Sequence, residues 1–146
     1  MKNIEKIMSI YIDEENKAAQ KCAECQQLYH KQLRLLEELR QYEADYKKNY
    51  LDTAKVGIRI ENVKNFNRFI TKLHTLIDKQ IENLNHEKSN LEIATEIWQK
   101  KRLQRRTLTK LDERMAQKHR HAYALKEQKQ FDEIALRQYR RKDIYD

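Results

Sequence analysis

The chain has 146 residues with no Pro and one Gly (Gly57); 37% of residues are charged, 39% are hydrophobic, and the net charge is +8. Average usage would supply roughly ten Gly and roughly seven Pro over this length, so the residues that tight turns between strands need are missing, which argues against sheets, barrels and Rossmann-type folds. A mean hydropathy of −1.06 leaves too little apolar surface for a thick globular core. The composition therefore implies a thin all-α assembly sharing one seam.

Along the first fifty residues a heptad register holds with position a at 4, 11, 18, 25, 32, 39 and 46. Ile4, Tyr11, Ala18, Cys25, Leu39 and Tyr46 occupy it, with Gln32 the exception. The d positions supply Ile7, Leu28, Leu35 and Tyr42, and the adjacent e positions add Met8, Cys22, Tyr29, Leu36 and Tyr50. Glu14 and Lys21 interrupt the d row, so this helix is expected to bury one stripe against one partner rather than be enclosed on all sides.

Between residues 54 and 62 the only Gly, several β-branched residues and a candidate Asn cap (Asn62) coincide, and the chain is expected to reverse there. A short connection between long helices favours an antiparallel hairpin. The expected layout is one coiled-coil domain: a first helix over 4–54, a turn over 55–61, a second helix over 61–138 and a basic tail to 146. At 1.5 Å per residue the helices span roughly 75 Å and roughly 115 Å, so the tail from about 115 onwards is expected to be unpaired or to bend back.

In the second helix Ile70, Ile77, Leu84, Leu91 and Trp98 recur every seven residues. A further row of Leu108, Met115 and Ala122 is displaced by three, which predicts a register shift near 101–106. Phe66 and Phe69, with Leu73 and Leu76, make an apolar face wider than one partner helix covers; such a face either docks a partner or plugs the open end of the hairpin. Beyond Leu125 the apolar residues thin, and the last twenty residues are expected to fray.

Charge is segregated along the chain. Residues 1–96 carry 16 basic and 16 acidic side chains, whereas residues 97–146 carry 15 and 7 and so hold the whole net charge. Such a segment suits nucleic acid, an acidic membrane surface or an acidic protein cavity.

Little else carries chemistry. Cys22 and Cys25 form an isolated CxxC inside a helical pattern, without the βαβ context of a redox motif or the four ligands of a zinc site, and read as small core residues. The five histidines, His30, His74, His86, His119 and His121, include no HxxxH pair and read as solvated. One Gly cannot build a phosphate-binding loop. No enzyme, metal, cofactor or small-molecule substrate is expected. The tyrosines overlap the basic third only at Tyr123, Tyr139 and Tyr145, which disfavours a base-stacking platform. No apolar run approaches a membrane span and the amino end lacks signal-peptide character, so a cytoplasmic location is expected.

The Gly57-Ile58 break, followed by Asn65-Phe66-Asn67-Arg68-Phe69-Ile70-Thr71-Lys72-Leu73, then Trp98-Gln99-Lys100-Lys101-Arg102, then Glu127 to Ala135, resembles the flagellar export protein family FliJ over roughly residues 20–140. The resemblance implies an antiparallel two-helix coiled coil similar to the central stalk of rotary ATPases, in a non-enzymatic component of flagellar type III export peripheral to the inner face of the cell membrane. It implies three partners: the hexameric export ATPase, the cytoplasmic domain of the export gate, and export chaperones. It assigns gate binding to Phe69 and Leu73, with Leu76 and Gln80 following where this sequence departs from the family's residues. Given an acidic ring lumen, the basic residues Arg114, Lys118, Arg120, Arg137, Arg140, Arg141 and Lys142 would guide the ATPase contact.

Two other classes compete. A basic coiled coil could bind nucleic acid, but in leucine-zipper proteins the basic region precedes the zipper, whereas here it follows. A structural dimer of hairpins, with the basic third paired to a second copy, is the other.

Overall fold

A computed structural model describes residues 2–145, with side chains over 3–143. It contains two helices, α1 (Lys2–Ala54) and α2 (Ile60–Tyr145), of 53 and 86 residues. They form an all-α helical hairpin. The second helix continues past the expected end at 138, since neither Pro nor Gly interrupts it and charged side chains support its exposed turns. No helix among the described residues is long and apolar enough to cross a membrane.

The reversal lies where the sequence places it. The amides of Lys55, Val56 and Gly57 donate to the carbonyls of Leu51, Thr53 and Ala54 at 3.2–3.3 Å, tightening the end of α1. Gly57 takes φ +114°, and an added Cβ would meet nothing within 4 Å. The requirement for glycine is therefore a backbone requirement alone. Gly57→Ala is expected to lower stability by about 1–3 kcal/mol, the cost of holding an L-residue in that region, with little change in helicity; urea unfolding checks it. Asn62 is not the cap. It is the third residue of α2, and its amide donates to the Arg59 carbonyl at 3.0 Å.

Two compact units divide the chain: residues 13–101, and residues 1–12 with 102–146. In the first unit the buried side chains are Cys25, Leu36, Leu73, Ile77 and Ala94, and Leu36, Leu73 and Ile77 cluster with Leu39, Phe69, Ile81 and Leu84. The core is one layer thick, as the hydropathy demands. In the second unit Thr109 Oγ1 approaches Met8 Sδ at 3.7 Å, and Tyr11 lines an apolar groove with Leu103, Leu108 and Leu111.

The seam corrects the heptad reading. On α1 the a row faces α2 together with the e row, through Met8, Cys22, Tyr29, Leu36 and Tyr50, while the d residues Ile7, Leu28, Leu35 and Tyr42 stay exposed. On α2 the inward rows are 66, 73, 80, 87, 94, 101, 108 and 70, 77, 84, 91, 98, 105. Leu108 thus continues the row of Leu73 and Ala94, and no register shift is needed near 101–106; polar Lys101 and Arg105 hold the places that the apolar pattern skips.

Candidate functional site

Two of the polar residues that break the apolar pattern of α1, Gln32 and Glu14, find partners within the 13–101 unit. Gln32, the exception in the a row, accepts from Gln80 Nε2 through its side-chain oxygen at 2.7 Å and its carbonyl at 2.9 Å. Such a half-buried pair fixes register, because sliding either helix would leave both amides unsatisfied. Glu14 meets Lys101 at 3.1 Å. Cys25 is buried and Cys22 half-buried, its sulfur 3.4 Å from Thr95 Oγ1, and both thiols are free.

Near the reversal an aromatic stack closes the hairpin. Tyr50 and Phe66 stack at 3.7 Å, Tyr46 and Phe69 lie 4.2 Å apart, and Tyr42 meets Phe69 edge-on at 5.9 Å. This contributes packing beyond plain burial. Phe66 is the plug of the two alternatives, whereas Phe69 lies farther from the reversal, between Tyr46 and Tyr42.

His74 is solvent-exposed, as expected of it, and also joins the two helices. Its Nε2 lies 2.7 Å from Glu43 Oε1, which also meets Lys47 Nζ at 2.7 Å. The hydrogen bond from Lys47, then that from His74, holds the Glu43 carboxyl below its ordinary value. A depressed carboxylate pKa contributes stability above the ordinary carboxylate range and loses it as pH falls through the lowered value. Glu43→Gln is expected to flatten the fall in unfolding free energy as pH drops below the ordinary carboxylate range, measured by urea unfolding in an acidic pH series.

The four residues proposed from the family resemblance divide by burial. Leu73 is 4% exposed, in the core cluster. Gln80 turns onto Gln32. Phe69 is half-buried, and Leu76 is 55% exposed. Leu76 and the edge of Phe69 can thus touch a partner, while Leu73 and Gln80 hold the helix that presents them.

In the other unit every residue from 110 to 143 is exposed. All seven proposed basic side chains lie there. Arg114 and Lys118 share a face at i, i+4, and Arg137, Arg140 and Arg141 share one at i, i+3, i+4, while Arg120 and Lys142 point elsewhere. Exposed Lys126 and Lys129 continue the basic character and were not singled out by the sequence; they border a shallow groove with Ala122, Leu125 and Asp132. The segment also exposes Met115, Tyr123, Leu125, Phe131, Ile134, Leu136 and Tyr139, so apolar side chains stand among the basic ones. The side chain of Tyr145 and residue Asp146 lie outside the described residues. No cluster of potential metal ligands occurs among the described residues.

The flagellar FliJ protein family model matches residues 1–143. No curated relative and no solved structure matches the chain. With nearly the whole length covered, the chain belongs to the flagellar FliJ family, and its role lies in flagellar protein export.

Proposed function

We propose that this chain is a non-enzymatic stalk of the flagellar export machinery, acting in the cytoplasm at the inner face of the membrane. It binds the hexameric export ATPase, promotes ring assembly and hydrolysis, contacts the cytoplasmic domain of the export gate, and escorts empty export chaperones. The observation that carries the ATPase contact is the helix over 110–143, exposed at every residue and bearing both a basic surface and apolar side chains. An acidic ring lumen would draw in Arg114, Lys118, Arg120, Arg137, Arg140, Arg141 and Lys142 electrostatically, and the apolar side chains would supply the contact that persists once docked.

The gate contact is assigned to Phe69 and Leu76 as touching residues, with Leu73 and Gln80 supporting them through the core and through Gln32. Co-sedimentation of the cognate ATPase with the full chain and with a chain ending at Leu125 tests the first contact. Binding lost on truncation supports the reading; equal binding by both overturns the assignment to the carboxyl segment.

A further inference from the structure

One side of the 13–101 unit carries apolar side chains that neither helix covers. On α1 these are Leu28, Leu35 and Tyr42, seven residues apart and 46%, 39% and 53% exposed; on α2 it is Leu76, 55% exposed, and seven residues before it stands Phe69, half-buried against α1 and only partly open on this side. Two contacts put both rows on the same side. The Tyr42 and Phe69 rings meet edge-on across the helices, and Gln80 bonds to Gln32 between the rows. Glu43 and His74 join the helices on the other side, consistent with their rotations of about 100° from Tyr42 and about 140° from Phe69 at 100° per residue. The two rows are the walls of a groove.

Charge differs between the rims where the two rows face each other. Three residues beyond Leu28, Leu35 and Tyr42, farther from the seam, stand exposed Lys31, Glu38 and Asp45, so the α1 rim is acidic beside Leu35 and Tyr42 and basic beside Leu28; three beyond Phe69 and Leu76 stand exposed Lys72 and Lys79. We infer that this groove takes one amphipathic helix from a partner protein as a third helix of the coiled coil. Its apolar stripe lies between the rows, its basic flank faces α1 and its acidic flank faces α2. The inference rests on the gate-docking reading of the same site and adds to it a second wall, Leu35 and Tyr42 on α1.

The extent of the patch favours a single helix over a second copy of this chain. The α1 row ends at Lys21 and the α2 row at Asn83. What remains spans a few helical turns, which suits the anchors at i, i+3, i+4 and i+7 of a helix lying in a groove. It falls short of the roughly 20–30 residues a side of a stable protein dimer. The opposed rims also give the bound helix a direction, as e and g charges do in coiled coils.

Calorimetric titration of the full chain with the purified cytoplasmic domain of the cognate export gate tests this, using Leu35→Glu, Tyr42→Glu, Leu76→Glu and the double reversal of Glu38 and Asp45 to Lys. Each single variant is expected to raise Kd by about tenfold or more, as central contacts do, and the double reversal to raise it with helicity unchanged. Leu35→Ser replaces Leu35→Glu if circular dichroism shows lost helix. Wild-type binding that is weakened by Leu76→Glu but insensitive to both α1 variants overturns the groove and leaves the gate reading standing. No binding by the wild type overturns the gate reading and removes the occupant with it. A wild-type dimer in sedimentation that Leu35→Glu dissociates would give the groove to a second copy and overturn the inference.

Discussion

Leu73→Ala is expected to destabilise the 13–101 unit by about 2–4 kcal/mol, whereas Leu76→Ala, three residues on, should cost less than about 1 kcal/mol. Leu73 is 4% exposed and packs in a cluster with Leu36 and Ile77, while Leu76 is 55% exposed. In a one-layer core nothing behind Leu73 can close the void, so the loss includes both the transferred methyl groups and the cavity. Urea unfolding followed by circular dichroism measures both variants. The contrast bears on function as well: reduced gate binding in Leu73→Ala would follow from a loosened helix pair, and in Leu76→Ala from a lost contact. Equal stability losses would mean that the burial difference has no energetic weight.

Reversing Arg137, Arg140, Arg141 and Lys142 to Glu is expected to lower the association rate with the export ATPase by about tenfold or more at low salt, with the difference narrowing as ionic strength rises. These side chains are exposed and lie in a segment where no residue from 110 to 143 is covered, so the fold should be indifferent to the change. Stopped-flow association at several salt concentrations, with helicity as control, reads both effects. Unfolding on reversal would give those charges a structural role and refute the electrostatic one.

Much of the fold was legible because one rule dominates it. With no Pro and one Gly, the helices end only where Gly57 ends them, and its positive φ shows why no other residue stands there. The seam was half legible. Apolar residues occupy a, d and e of α1, and three candidate rows cannot all face one partner; burial selects a with e, leaving the d row of Leu28, Leu35 and Tyr42 exposed. The supposed register shift arose from tracking apolar identity instead of spacing, since Lys101 and Arg105 occupy seam places.

The candidate sites were legible in type more than in geometry. Net charge located the basic segment without structure, because charge is additive along a chain. Which of Phe69, Leu73, Leu76 and Gln80 faces a partner depends on where α1 lies, and a single helix's periodicity does not contain that. Gln32 is the clearest case: as a lone exception in the a row it looks like a defect, and only its bond to Gln80 makes it a register lock.

The hydrolysis rate of the cognate flagellar export ATPase, measured alone, with the full chain and with the chain ending at Leu125, tests the central claim most directly. Stimulation by the full chain that truncation removes is the predicted result. An active ATPase whose rate neither protein changes would contradict the stalk function.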